Sequence, residues 1–282
     1  MADCVTITGF ADEIDPMLDK QMKVLKKLGI SHVEMRRVDA KNLVDYPIKE
    51  VKGIKSRLDA GGIHLSAVGS PIGKIGIADD FAPHMEQFKH TVEIAHEMET
   101  PYIRIFSFFI PKGEERTAYR EAVLERLGQF VDYAASNDVI LLHENEKNIY
   151  GEKAPECLEI MKNFYGDHFR AVFDFANFVQ VRQDTLEAYE MLKPYVEYVH
   201  VKDARWSDGN VVPAGYGDGH VKEILKQLKG RGYHGYLSLE PHLTNFVGFS
   251  DLEKEGNIGK KLTGEEAFTL AYDSLRKLLK EI

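Results

Sequence analysis

Four ionisable residues, Glu144, Asp174, His200 and Glu240, each stand at the end of a short apolar segment, at intervals of 30, 26 and 40 residues. Each interval has room for one strand and one helix. Apolar segments of this kind are typical of strands in a parallel sheet that helices cover on both faces. If these strands lie side by side in a barrel, the four side chains converge at one end. Three carboxylates and one imidazole facing a common point are predicted to bind a divalent metal ion.

The predicted ligand set also limits the chemistry. Mostly oxygen ligands with one imidazole favour Mn²⁺, with Mg²⁺, Co²⁺ or Zn²⁺ as alternatives. Three carboxylates around a dication favour neutral polyols as substrates over highly charged ligands. A metal that polarises a carbonyl group lowers the pKa of the adjacent C–H, and a carboxylate can then remove and return that proton. Glu144 and Glu240, three strands apart across the barrel, are predicted to flank the substrate.

The elements that would position these residues alternate along the whole chain. Strands are predicted at Val5–Phe10, His32–Arg36, Ile63–Val68, Tyr102–Phe106 and before the four ionisable residues. Helices are predicted at 15–28, 48–58, up to 97, 114–135, 154–163, 184–192, 221–230 and 264–279. Eight strands and eight helices in alternation predict a closed (β/α)₈ TIM barrel, formed as one domain by residues 1–282. An open doubly wound sheet usually has a glycine-rich turn after its first strand, and Phe10-Ala11-Asp12-Glu13 is not one.

Composition excludes several classes of function. The 282 residues are 44% hydrophobic and 29% charged, as is usual for a globular protein. The net charge of −9 argues against binding to nucleic acid. The chain has no apolar run of the length a membrane helix needs and no signal-peptide pattern at its N-terminus, so we expect a cytoplasmic protein without membrane contact. Cys4 and Cys157, which lack metal-ligand spacing, are expected to be reduced thiols.

Two connections are longer than a barrel requires, one from Asp203 to Gly219 and one from Pro241 to Thr263. Both follow strand ends on the side where the ionisable residues are expected. Long loops at that end of a barrel commonly close over a substrate. Surface insertions without a role are the other interpretation.

Six segments of the sequence carry a resemblance to a known family. They are Val33-Glu34-Met35-Arg36, Ser70-Pro71-Ile72-Gly73-Lys74, Leu142-His143-Glu144-Asn145, Phe173-Asp174-Phe175-Ala176-Asn177, Val199-His200-Val201-Lys202-Asp203 and Leu237-Ser238-Leu239-Glu240-Pro241-His242. Together they resemble the sugar phosphate isomerase/epimerase family of xylose isomerase-like TIM barrels, which includes ketose 3-epimerases and inosose dehydratase-like proteins. The resemblance covers essentially the whole chain and is specific for the superfamily, not for a substrate.

The resemblance implies functions for individual residues. The family's four metal ligands correspond to Glu144, Asp174, His200 and Glu240. In the ketose epimerases the two glutamate ligands also act as acid and base, so this role is carried to Glu144 and Glu240. The implied activity is a metal-dependent isomerase or epimerase that moves a proton through an enediolate of a sugar or sugar-like polyol.

Four further residues are predicted to contact the substrate. Glu34 binds a substrate hydroxyl or, alternatively, pairs with Arg36 or Arg104. Asn177 stands where similar epimerases have a substrate-contacting histidine and is predicted to donate hydrogen bonds. Lys202 is predicted to point into the barrel mouth, with Asp203 orienting it. Arg205 contacts substrate oxygens or is a solvated loop charge.

Other polar residues have alternative interpretations. On a strand, His143 faces away from Glu144 and is predicted to be a hydrogen-bonded core residue. Glu146 and His242 are candidate partners of the metal ligands. Gly215, Gly217 and Gly219 form either a phosphate cradle or a flexible loop.

Three other functions fit parts of the pattern. A dehydratase would use the same proton abstraction and then lose a β-hydroxyl group. A metal-dependent abasic-site endonuclease shares the fold but needs more histidines, and Ser70 and Ser107 follow the third and fourth strands instead. A sugar-binding protein without activity is the last alternative. The partner is expected to be a small molecule, and a homo-oligomer is possible.

Overall fold

The computed structural model describes residues 4–244 and 261–282. Eight parallel strands form one sheet. They are β1 Thr6–Gly9, β2 His32–Met35, β3 His64–Val68, β4 Tyr102–Ile105, β5 Ile140–Glu144, β6 Phe169–Asp174, β7 Val196–Val201 and β8 Tyr236–Leu239. Their order in the sheet is β2-β3-β4-β5-β6-β7-β8-β1. An isolated parallel bridge between Phe10 and Glu34 joins the ends of β1 and β2 and brings the sheet round into a barrel. The predicted (β/α)₈ barrel is confirmed, whereas a single domain across residues 1–282 stays a prediction.

Helices surround the barrel, each with an apolar face against the strands. In the helix Leu18–Lys27, for example, Leu18, Val24 and Leu25 are buried among charged neighbours, as the helical period of its apolar residues requires. In the described residues the α-helices are α1 Leu18–Lys27, α2 Ile48–Gly61, α3 Phe81–Glu97, α4 Arg120–Ser136, α5 Ala154–Phe164, α6 Phe175–Gln180, α7 Thr185–Leu192, α8 Val221–Gly230 and α9 Gly264–Glu281. None of these helices has the length and apolar character needed to cross a membrane.

Two helices differ from the prediction. The helix expected from residue 114 begins only at Arg120, because Arg116–Tyr119 form a 3₁₀ turn first. The short helix α6 was not predicted, and the prediction of eight helices is therefore wrong by one for the described residues. Its residues Phe175 to Val179 are all buried, so they lack the apolar-polar alternation that marks a surface helix.

A layer of packed aromatic rings fills the barrel interior below the carboxyl ends of the strands. The rings of Tyr102, Tyr198 and Tyr236 contact one another with centroids 5.4 to 6.3 Å apart. Above them, the Ser66 hydroxyl shares hydrogen bonds with Thr8 Oγ1 and Tyr198 Oη, both at 2.9 Å. The four predicted ligands lie above this packed layer, at the carboxyl ends of the strands.

The first long connection lies at this end. After β7, Asp203–Ala204 pair with Val211–Val212 in a short antiparallel hairpin. Most of the predicted second connection, residues 245–260 of 241–263, lies outside the described residues.

Candidate metal centre

The four predicted ligands meet at the end of the barrel. Glu144 and Asp174 end β5 and β6, His200 lies on β7, and Glu240 directly follows β8. Register explains part of this convergence, because Asp174 and Ser238 pair with His200 from the two sides. One ligand atom from each residue lies within 4.8 Å of the other three. All four side chains are buried, with residue exposures of 0 to 4%.

His200 is at the centre of this cluster. Its Nδ1 atom lies 2.9 Å from Glu144 Oε1, 3.8 Å from Glu240 Oε2 and 3.9 Å from Asp174 Oδ2. Three carboxylates therefore face one edge of the imidazole. Burial opposes a charge on His200, but Glu144 and Glu34 outweigh it and raise its pKa well above the usual value, so the metal-free imidazole carries a proton on both nitrogens. A divalent ion among these four groups would displace the proton on Nδ1.

The opposite edge of His200 faces Glu34 inside the barrel. His200 Nε2 lies 3.1 and 3.2 Å from the two carboxylate oxygens of Glu34, which is fully buried. Glu34 also accepts a hydrogen bond from Ser238 Oγ at 2.6 Å. We assign the Nε2 proton to this contact, which leaves Nδ1 for a metal. Metal-binding histidines commonly donate their second N–H to a carboxylate in this way.

We therefore expect Glu34→Gln to weaken metal binding by about 10- to 100-fold, as is usual when such a partner of a ligand is changed. The amide offers His200 Nε2 a weaker acceptor and no negative charge. Calorimetric titration with Mn²⁺ measures the effect. Glu197→Gln is the control, because Glu197 accepts from Tyr102 Oη near the other end of the barrel. Equal affinity in the two variants would contradict the assignment.

The two carboxylate oxygens of Asp174 have different contacts. Oδ1 accepts a hydrogen bond from the backbone N–H of Asn177 at 2.8 Å and so caps the N-terminus of α6. Oδ2 is buried and has no hydrogen-bond partner. Lys202 Nζ lies 3.0 Å from this oxygen as an ion pair without hydrogen-bond alignment. A buried carboxylate oxygen without a hydrogen-bond donor is suited to be a ligand of a bound cation.

The charges of the cluster also fit a dication. Burial raises the pKa of Asp174 to about 7. At Glu144 burial opposes ionisation, but His200 and Arg104 outweigh it and lower the pKa to about 2. With Glu34 and Glu240, four buried carboxylates face two buried permanent cations, Arg104 and Lys202. When all four carboxylates are ionised and His200 is neutral, two negative charges remain, which a divalent ion would balance.

Comparison with known proteins gives the family. The model of the xylose isomerase-like TIM barrel family matches residues 22–280. The chain belongs to this family. A curated 3-dehydroshikimate dehydratase from Bacillus anthracis is 19% identical over 134 residues, which are 48% of this chain and 48% of that protein. The match thus spans about half the length of that relative.

Solved structures of the family share the fold across almost the whole chain. The probable 3-DHS dehydratase AsbF of Bacillus anthracis is 15% identical, with a TM-score of 0.72 and coverage of 96% of this chain and 98% of that chain. The 3-keto-D-glucoside 4-epimerase YcjR of E. coli is 17% identical, with a TM-score of 0.67 and coverage of 98% and 99%. The IolI protein, solved with a zinc atom, is 14% identical, with a TM-score of 0.73 and the same coverage.

The predicted substrate-binding residues of this xylose isomerase-like barrel have different surroundings. Asn177 lies beside the ligands, where its Nδ2 donates to Glu144 Oε1 at 3.3 Å. Lys202 also lies in the cluster and is 5% exposed. Glu34 points inward to His200 instead of to the mouth, and no contact joins it to either predicted arginine partner. Arg205 is half-exposed and pairs with Asp208 of its own loop.

Several polar groups beside the ligands were not predicted as site residues. Arg104 Nη1 lies 3.2 Å from Glu144 Oε2, although the sequence suggested it only as a partner of Glu34. On the other side, Glu13, Glu240 and His242 form a second cluster of possible ligands. Arg36 lies 3.4 Å from Glu240 and 3.6 Å from Glu13, so a positive charge is already present there. Glu13 lies in the short turn after β1, and nothing in the residue spacing marked it as a site residue.

His143 faces the helices, as predicted. It is 1% exposed and stacks on Phe169, but its Nε2 has no hydrogen-bond partner. Burial lowers its pKa to about 4, so the imidazole is neutral. His143 is a core residue.

The glycine-rich loop is not a phosphate cradle. The backbone N–H groups of Gly215, Gly217 and Gly219 all donate to the buried carboxylate of Asp203, at 2.8 to 3.0 Å. Ala204 N–H donates to the same carboxylate at 2.8 Å. A side chain already takes the place that an anion would need. Asp203 therefore orients this loop, and no contact joins it to Lys202.

We expect Asp203→Ala to lower the free energy of unfolding by about 3 kcal/mol or more, because four N–H groups lose a charged acceptor. Urea unfolding followed by circular dichroism measures this loss. Asp208→Ala is the control in the same loop. Asp208 is more than one-third exposed, so its loss should cost much less than the loss of Asp203. Equal stability of the two variants would show that the buried carboxylate does not hold the loop.

Proposed function

We propose that this protein is a divalent-metal-dependent isomerase or epimerase that moves a proton on a sugar or sugar-like polyol through an enediolate. The observation that carries the proposal is the buried set of Glu144, Asp174, His200 and Glu240 around one point. These residues would hold the ion. A bound dication would polarise the substrate carbonyl and acidify the adjacent C–H group.

Glu144 and Glu240 are the proposed acid and base. They approach His200 Nδ1 from different strands, and each is held by a permanent cation. Arg104 holds Glu144 through Oε2, and Lys202 donates to Glu240 Oε2 at 2.6 Å. At Glu240 burial opposes ionisation, but Lys202, His242, His200 and Arg36 outweigh it and lower its pKa well below the usual value. An ionised carboxylate is ready to accept the substrate proton.

Asn177 is the proposed hydrogen-bond donor to a substrate oxygen, because its amide lies directly beside Glu144. We reassign Glu34 to the support of His200. Arg205 would reach a substrate only after leaving its partner Asp208. Mn²⁺ is the proposed ion. Mg²⁺ and Zn²⁺ are the alternatives, because similar structures have been solved with magnesium and with zinc.

Dehydration is the second candidate function. It is supported by the match to a curated 3-dehydroshikimate dehydratase and by the structural likeness to AsbF. The geometry offers an additional acid for a leaving hydroxyl group. Glu13 lies 3.2 Å from His242 Nε2, and burial raises its pKa to about 8.

A substrate panel in D₂O tests both functions. The purified protein is incubated with Mn²⁺ and with ketoses, aldoses, inososes or 3-dehydroshikimate, and the products are followed by NMR and ultraviolet absorbance. Deuterium at the carbon beside the carbonyl in a stereoisomer or isomer supports the proposed function. A new absorbing enone, diketone or aromatic product supports dehydration. Isomerisation without solvent deuterium would contradict proton transfer through an enediolate, and nicking of abasic duplex DNA would indicate a nuclease.

A further inference from the structure

We propose that the Lys202 ammonium group competes with the divalent ion for two of the four ligands and thereby sets how tightly this protein binds its metal. The inference rests on the metal centre of the proposed function. It concerns a residue that the sequence suggested as a substrate contact.

Lys202 is built into the ligand cluster. It directly follows β7 and stands two residues after His200, so in extended backbone both side chains point to the same side. Its side chain is 4% exposed, and Nζ lies 2.6 Å from Glu240 Oε2 and 3.0 Å from Asp174 Oδ2. Burial of a lysine at this level requires such partners.

The oxygens that Lys202 contacts are the ones that face the centre of the cluster. Glu240 Oε2 and Asp174 Oδ2 are also the oxygens that lie 3.8 and 3.9 Å from His200 Nδ1. The second oxygen of each group is engaged elsewhere. Glu240 Oε1 lies 3.4 Å from Arg36 and 3.3 Å from His242, and Asp174 Oδ1 accepts from the Asn177 backbone. Metal ion and ammonium would therefore use the same atoms.

Arg104, the other buried cation beside a ligand, is placed differently from Lys202. It is also buried and paired with a ligand, but it contacts Oε2 of Glu144, whereas Oε1 of that residue faces His200. Its positive charge therefore stabilises the carboxylate from outside. Lys202 contacts its partners from the ligand side, where a dication would meet a like charge in surroundings that screen charges weakly. Only Lys202 of these two cations is placed to compete.

The test is Mn²⁺ binding to metal-stripped protein, measured by calorimetry on the wild type, Lys202→Met and Lys202→Arg. We expect Lys202→Met to bind Mn²⁺ at least about 10-fold more tightly, and Lys202→Arg to show no such gain because it keeps the charge. Lys74→Met is the matched control. Lys74 is two-thirds buried and pairs with Glu146, outside the ligand set, so its removal should change the Kd by less than about twofold.

Thermal unfolding gives an independent measurement. Metal-free Lys202→Met should unfold at a lower temperature than the metal-free wild type, because its carboxylates lose their counter-ion, and Mn²⁺ should raise its Tm by more. If the methionine variant does not fold, Lys202→Gln takes its place. Unchanged or weaker Mn²⁺ binding in the neutral variant overturns the competition while leaving the metal centre intact. Absence of binding in the wild type and in every variant overturns the proposed function together with it.

Discussion

Glu144→Gln and Glu240→Gln are each expected to lower kcat by about 10²- to 10⁴-fold, the usual contribution of a general acid or base. Glutamine preserves the shape of the side chain but cannot accept the substrate proton. Steady-state rates on the substrate identified in the panel measure the loss. Because both residues are also proposed ligands, the rates are compared at saturating Mn²⁺ with the metal content determined for each variant.

The control for this prediction is Glu197→Gln, which changes a carboxylate at the opposite end of the barrel and should keep kcat within about twofold. Circular dichroism verifies that all three variants fold. A Glu144→Gln or Glu240→Gln variant that binds Mn²⁺ and turns over like the wild type would remove that residue from the proposed acid-base pair.

Removal of the metal is expected to abolish turnover and to lower the Tm by several degrees. A ligand present at 100 times its Kd stabilises a folded protein by about 2.7 kcal/mol, and each kcal/mol corresponds to roughly 2–4 °C in a chain somewhat shorter than this one. Dialysis against a chelator followed by readdition of Mn²⁺ should restore both quantities. Turnover and Tm are measured at each stage, with metal content by mass spectrometry.

Asp174→Asn supplies the reference for the metal experiment. The amide oxygen can still cap α6, but the ligand set loses a charge, so Mn²⁺ should raise the Tm of this variant by clearly less than that of the wild type. Full turnover in a preparation without measurable metal would eliminate the proposed chemistry. The barrel fold would be unaffected by that result.

Most of the fold could be predicted from the sequence because strand and helix patterns differ in their period. Segments such as Ile140–Glu144 and Val196–Val201 are short, apolar and followed by polar residues, and the structure has strands there. Helix α6 was not predicted, because Asp174 both ends a strand and caps the helix that follows it. That connection leaves no intervening loop residues to signal a boundary.

The convergence of the four ligand candidates was also predictable, since the ends of parallel strands meet at one edge. Contacts between side chains across the barrel could not be predicted. Glu34 lies on β2, three strands from β7 around the barrel, and the register shifts between Val33 and Glu34. Spacing along the chain carries no information on which side chain faces His200 from below. The partners of Lys202 and Arg205 depend on side-chain directions that a single sequence does not specify.

Asp174 places an unusual limit on substitution at its position. Aspartate and glutamate often replace each other as metal ligands, but here one oxygen also caps α6 while the other faces the cluster. A side chain longer by one methylene group would have to displace either the first turn of that helix or the shared centre. We therefore expect glutamate to be tolerated in place of Asp174 less readily than its chemistry suggests, both in relatives and in designed variants.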